Sequence, residues 1–420
     1  MTVSTTQKVD EQTEGLPAAL DSVKIAKKNF WFVQVDGIGV GIANAAAQYL
    51  APFLTLLNAT NLQVGLLTSM AGLTGLFLAI PTGRFLQRQR NMVPWYSRAR
   101  LLYLASYAVT GALPFFVPRD KVVTGILIVW ALATLPQTVL NVCFTVVMGA
   151  VAGPEGRFRL MSWRWSILGL TTGISAFVAG RLLDRMSFPL NYQIMLIVLS
   201  MGGLVSYYFS SQLTIPENRP PEQTSKRPLM ENLREYYKLI MQEKPFVSFS
   251  IRRFVFLFAS WLAIPLFPLY YVRELSASNT WVGNIATAQT LVLMVGYFMW
   301  TRISRRKGSR LVLLLGTLGS AIYPALIAST HHLELVMIYA SFASIMQAGI
   351  DLTFFDELLK TIPIENSATF VAVAQTMSHF ANMVAPLAGT LLANIIGIGP
   401  ALLVSAVLRL LGFGLFLLRK

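Results

Sequence analysis

LNATNLQVG at residues 57–65 returns as LSASNTWVG at residues 275–283, with five of nine positions identical at an offset of 218 residues. The shared positions are Leu57/Leu275, Ala59/Ala277, Asn61/Asn279, Val64/Val282 and Gly65/Gly283. About 20 mostly apolar residues follow each copy, and then a basic cluster in the same register: TGRFLQRQR (82–90) and WTRISRRKG (300–308). This pairs Arg84 with Arg302 and Arg88 with Arg306. Agreement in loop, span length and charge at one offset is the mark of a duplicated membrane bundle.

Composition places the chain in a bilayer. Hydrophobic residues make up 55% of it and charged ones 13%, roughly half the charged share of a soluble domain. Stretches such as 64–80, 122–133, 311–329 and 401–418 are nearly free of charge, and most approach the ~20 residues that cross the hydrocarbon core as a helix. No water there satisfies an open backbone, and the stretches lack the alternation of barrel strands, so helices are predicted. Twelve spans result, at 31–57, 64–86, 99–117, 122–149, 160–183, 191–209, 246–272, 281–303, 310–329, 334–358, 368–393 and 398–418. The reading is an all-α integral membrane protein of two similar six-helix halves, 29–212 and 245–420. Residues 1–28 read as a mostly disordered tail, and 213–244 as a linker with an amphipathic helix or a plain connector at 228–243.

With both termini cytoplasmic, 28 of the 34 basic residues fall on the inner side, which fixes the orientation of a multi-pass protein in a cell's inner membrane. Basic loops facing anionic lipid account for the net charge of +15 without nucleic acid. Cys143 is alone and cannot form an intrachain disulfide. No zinc spacing, no phosphate-binding Gly-x-x-x-x-Gly-Lys-Ser/Thr loop and no nucleophile–base pair is visible, so no cofactor, ATP drive or enzyme activity is expected.

Twelve spans in two halves, a basic loop after spans 2 and 8 and a long central linker resemble the major facilitator superfamily. Of that family's loop signature, Gly-x-x-x-Asp-Arg-x-Gly-Arg-Arg, Gly83 and Arg88 match, while Gln87 stands at the acid. In the second copy Thr301 replaces the first glycine and Arg305 the acid, with Arg306, Gly308 and Arg310 kept. The resemblance makes Gly83, Arg84, Arg88, Arg302, Arg305 and Arg306 gating-loop residues, without the acid that latches the inner side. The loops after spans 4 and 10 (153–184 and 362–393) also match at an offset of 209, through Pro154/Pro363 and Gly180/Gly389. Span 5 has Gly169, Gly173 and Gly180 but not the Gly-Pro of the proton-driven drug antiporters.

Polar side chains inside spans cost about 2.5–3.5 kcal/mol when charged, and each calls for a partner or a task. Gln137 and Asn141 in span 4 align with Gln347 and Asp351 in span 10 at an offset of 210, each pair stacked one turn apart. The resemblance sets spans 1, 4, 7 and 10 around a central cavity, where these groups contact substrate and Asp351 exchanges a proton; interhelical bonding is the alternative. Asp36, Asn44 and Gln48 on span 1, Trp261 on span 7 and His379 on span 11 complete the substrate and coupling set. An inner gate is read in Asp36 or Asp356 with Arg252 and Arg253, against snorkelling of the arginine pair. Arg409 in span 12 is expected to take a structural acceptor.

Two functions fit these features. One is a monomeric secondary transporter that moves a small organic or amphipathic solute by alternating access, with protons the favoured coupling ion and lipid its surroundings. The other is an assembly or delivery factor for a pigment, lipid or membrane-protein partner, which the missing latch acids suit.

Overall fold

A computed structural model describes residues 6–87, 89–215, 240–362 and 367–418, and all regular structure among them is helical. Twelve helices are long and apolar enough to cross a membrane. Spans 1–6 are Lys24–Leu56, Asn61–Leu78, Val93–Phe116, Arg119–Ala152, Trp163–Leu183 and Leu190–Ser211. Spans 7–12 are Lys244–Glu274, Asn279–Lys307, Ser309–Ala328, Leu333–Leu358, Val373–Ile396 and Ile398–Leu417. The N-terminal helix starts at Thr6, so the predicted tail is helical from there. Its Ala, Gln, Glu and Lys content suits propagation of the span 1 helix beyond the bilayer. The predicted linker helix falls on residues 216–239, which lie outside the described ones.

Helical backbone runs from Arg119 to Leu183, through both spans 4 and 5. The Phe144 ring lies 4.9 Å from the Arg164 guanidinium carbon. Twenty residues of straight helix would separate them by about 30 Å, so the chain doubles back between the two spans. Spans 1 and 7 break at positions that correspond in the repeat, Ala46 and Ile264. In span 7 the cause is Pro265: without its N–H the Trp261 carbonyl is left over, and Ile264 takes it in a tightened turn.

The apolar core divides in a way that places the opening. One cluster fills the end of the molecule that the charge asymmetry assigns to the outside, and crosses both halves, joining Ala43, Tyr49, Phe53 and Ala176 to Leu262, Leu269, Val282 and Leu402. On the inner side each half has its own core, Phe32, Leu86, Tyr96 and Val147 in the first and Phe246, Phe256, Phe354 and Phe416 in the second. Spans 2 and 11 meet across the halves, as do spans 5 and 8. Gly72 lets the span 11 backbone close in, since a Cβ there would sit 2.5 Å from the Met383 nitrogen.

Within the first half, spans 1 and 6 touch backbone to backbone. A Cβ on Gly39 would lie 2.6 Å from the Gly202 oxygen and 2.7 Å from the Ser206 nitrogen. Gly39→Val is expected to lower stability by about 1–3 kcal/mol, read as an earlier thermal melt in detergent, because no side-chain movement relieves a clash with backbone.

Candidate functional site

Asp36, Arg100 and Arg164 form a buried ion cluster at the inner end of the first half. The Asp36 carboxylate is fully buried and accepts from Arg100 Nη1 at 2.5 and 2.6 Å, Arg164 Nη2 at 3.1 Å and Ser206 Oγ at 2.6 Å. Arg100 also donates to the Tyr96 hydroxyl, and its guanidinium lies over that ring. Four spans, 1, 3, 5 and 6, are thereby tied to one carboxylate. This corrects the predicted gate: Asp36 is bound within its own half and does not meet Arg252 or Arg253. Arg100 and Arg164 are two of the 28 basic residues assigned to the inner side, yet neither is a solvated loop cation, since both are at most 3% exposed.

Asp356, the other acid proposed for that gate, binds Lys360 one turn away at 2.5 Å. That hydrogen bond holds the Lys360 ammonium above its usual lysine range. Arg253 reaches the Ala374 carbonyl at 3.4 Å and lies 5.9 Å from the Phe354 ring, while Arg252 is half-buried beside it. Arg302, Arg305 and Arg306 are exposed in the last turns of the span 8 helix, where cations complement the helix dipole. Gly308 ends that helix at φ 88°, a left-handed conformation that favours glycine. Gly83 is half-exposed with open space around it, whereas the Arg84 side chain and Arg88 lie outside the described residues.

The predicted polar pairs of spans 4 and 10 are exposed or half-buried. On span 10, Gln347, Asp351 and Phe355 form one exposed stripe in the inner part, and Leu335, Ile338 and Phe342 an exposed stripe in the outer part on the opposite face. Span 4 repeats this with Asn141 and Thr145 inward and Ile128, Leu132 and Leu135 outward. The outer stripes are apolar and suit lipid; the inner ones are mostly polar and lie on the other side of the helix. Asp351 accepts from Tyr297 Oη at 2.9 Å and Gln347 Nε2 at 2.7 Å. Among the described residues its oxygens meet these two neutral donors and form no ion pair. Tyr297, on span 8, was missed by the sequence reading, since a tyrosine in an apolar span reads as packing.

The remaining candidates disperse. Asn44 is half-buried and Gln48 exposed in the outer part of span 1. Trp261 packs against the outer core. His379 sits against Gly75 at the seam of spans 2 and 11 rather than on the span 4 and 10 faces. Arg409 donates to the Ser320 carbonyl at 2.9 Å and the Ser260 carbonyl at 3.2 Å, the span-carbonyl solution for a buried arginine.

The outer seam is closed by polar contacts built around the repeated loops. Asp184, at the end of span 5, accepts from the Asn279 N–H at 3.0 Å, Asn279 Nδ2 at 2.9 Å and the Thr280 N–H at 2.8 Å. Tyr192 donates to Asn279 Oδ1. Arg273 donates to Asn61 Oδ1 and the Ala59 carbonyl, and Asn61 Nδ2 donates to Asn394 Oδ1 at 2.7 Å. Thr287 Oγ1 to the Gly173 carbonyl, 2.8 Å, is the most inward of these inter-half bonds.

Burial raises the Asp184 carboxyl pKa, but hydrogen bonds from Thr280 and Asn279 outweigh it and hold the group below the usual carboxylate range. A depressed carboxylate contributes stability above its unfolded pKa and loses it as pH falls through the folded one. The seal at Asp184 is therefore expected to be unchanged between pH 7 and about pH 5 and to weaken only on stronger acidification, measured as the distance between labels on the outer loops.

The fold and site define a two-bundle membrane protein of twelve spans, whose halves share one core at one end and keep separate cores at the other. Residues 249–420 match the model of the Major Facilitator Superfamily. Over the whole chain the fold is similar to that of a mutant of the nucleoside transporter NupG, with TM-score 0.73 and 10% identity over 93% of this chain and 99% of that one. It is also similar to a bacterial homologue of the iron transporter ferroportin in an inward-facing state, with TM-score 0.70 and 15% identity over 94% and 98%. Multidrug resistance protein MdtG of Proteus mirabilis (strain HI4320) is 24% identical over 36% of this chain, and that of Salmonella choleraesuis (strain SC-B67) 27% over 34%. The matches cover 39% and 37% of those relatives' own lengths. The family match thus lies in the second half of the chain, and the likeness of the whole chain to these solved structures is one of fold.

Proposed function

We propose that the protein is a secondary transporter of the inner membrane that carries a small organic or amphipathic solute by alternating access, coupled to protons through Asp351. The two bundles, 29–212 and 245–420, move about the linker 213–244, and the chain acts as a monomer. The observation that carries this reading is the pairing of one core continuous across both halves with two separate cores at the other end; with the orientation read from the basic residues, it supports access to the polar faces of spans 4 and 10 from the cytoplasm. Asp351 supports the coupling role: an intramembrane acid held by neutral donors has no resident cation to keep it ionised, so it can gain and lose a proton as its access to water changes. The transporters among its structural neighbours and the multidrug relatives agree with such a role without naming this chain's substrate.

The test is purified protein in vesicles holding a pH-sensitive dye, challenged with gradients of nucleosides, amphipathic amines, organic anions and divalent metals. One compound class that drives a proton flux, absent from empty vesicles, is the expected result. No flux with any class, together with a protein that co-purifies in stoichiometric amount, would replace transport with a delivery role.

A further inference from the structure

The two repeated loops start their helices differently. In the first, Thr60 and Gln63 cap reciprocally: Thr60 Oγ1 accepts from the Gln63 N–H at 3.2 Å, and the Thr60 N–H donates to Gln63 Oε1 at 2.8 Å. The span 2 helix is therefore capped from its own loop. In the second copy the cap is Ser278, which accepts from the Trp281 N–H at 3.4 Å, and Trp281 stands where Gln63 does, with no side-chain acceptor to return. The N–H groups of Asn279 and Thr280, two of the four that a helix cannot satisfy itself, go instead to Asp184 of the other half. Among the described residues, the carboxylate on this helix start thus comes from across the seam, where it also meets the positive end of the helix dipole.

We infer that Asp184 is the positioning residue of the outer gate, holding the inward-open arrangement by capping span 8 in trans, and that this cap must be released before the outer side opens. The inference rests on the alternating-access reading. Two of the three donors to Asp184 are backbone N–H groups in the first turn of a helix and the third is the Asn279 side chain on that same turn, so a tilt that parts spans 5 and 8 outside strains all three bonds together. The equivalent position on the other seam holds neutral Asn394 on Asn61, where the charge is that of Arg273, donated to Asn61 and the Ala59 carbonyl, so among the described residues that seam caps no helix start with a carboxylate.

The experiment measures the distance between spin labels on Lys121→Cys, in the exposed first turn of span 4, and His331→Cys, in the loop before span 10; native Cys143 is buried and stays unlabelled. Wild-type protein in lipid is expected to show a major short distance and a minor long one. Asp184→Ala is expected to raise the long-distance share at least fivefold, and Asp184→Asn, which keeps one acceptor oxygen, by less. Glu274→Ala, which removes an exposed outer acid elsewhere, is expected to leave the ratio as in wild type, and the thermal melt is expected to move little in all three. Two populations whose ratio ignores both Asp184 variants would overturn the inference alone. A single distance in every variant, with and without a transported compound, would overturn alternating access itself.

Discussion

Asp36→Ala is expected to yield little folded protein. The substitution removes the one anion shared by Arg100 and Arg164 while leaving both guanidinium groups buried at the inner end of the first half. Breaking a buried pair from one side costs about 3–5 kcal/mol, because the stranded charge loses its partner and does not regain water. Here two cations are stranded, a loss comparable to the total stability of many domains. Tyr96 and Phe144 still offer ring faces to the two arginines, but a ring contributes about 0.5–2 kcal/mol to a cation and does not replace a carboxylate. The measurement is the share of monodisperse protein after extraction and its melting temperature. Rescue separates a structural ion cluster from a working one: adding Arg100→Met and Arg164→Met to Asp36→Ala removes the stranded charges and is expected to restore most of the folded yield. A single variant that melts like wild type would show that the cluster contributes nothing to the fold.

Asp351→Asn is expected to do the opposite, abolishing proton-linked flux by at least a hundredfold while leaving yield and melting temperature at or slightly above wild type. Asparagine has nearly the shape of aspartate and still accepts from Tyr297, and it removes a group whose charged form is costly at that depth. What it lacks is an exchangeable proton. Tyr297→Phe removes one of the two donors on Asp351 and is expected to reduce flux less severely. If Asp351→Asn lowers yield and flux together, the residue is a packing element of the second half and the coupling group lies elsewhere.

The sequence made the frame legible because the frame is set by apolar length and charge asymmetry, which are local properties. The twelve spans, their division into halves and the stacking of Gln347 on Asp351 all follow from spacing along one chain segment. Asp36 was legible as a buried acid, but its partners were not. Arg100 and Arg164 sit only a few residues inside spans 3 and 5, beside basic loops, and the orientation rule counts such residues as loop charge. An arginine that the predicted span already contains was the available signal. Tyr297 and Asp184 gave none: the first is an aromatic in an apolar helix and the second an acid in an outer loop, and each acquires its role from a neighbour more than 50 residues away.

The unequal caps of the two repeated helices have a consequence for how the halves recognise one another. A duplication begins with interchangeable parts, and two copies of one part can pair as well as two unlike ones. With Gln63 completing its own helix start and Trp281 leaving the other dependent on Asp184, the parts are no longer interchangeable. Two first halves would bring together self-sufficient termini with no use for a second carboxylate. Two second halves would face each other with exposed termini and, at the equivalent place, Ala393 and Asn394 instead of an acid. The mixed pair answers the need, so the cap encodes heterotypic assembly, a lock and key descended from one ancestral piece.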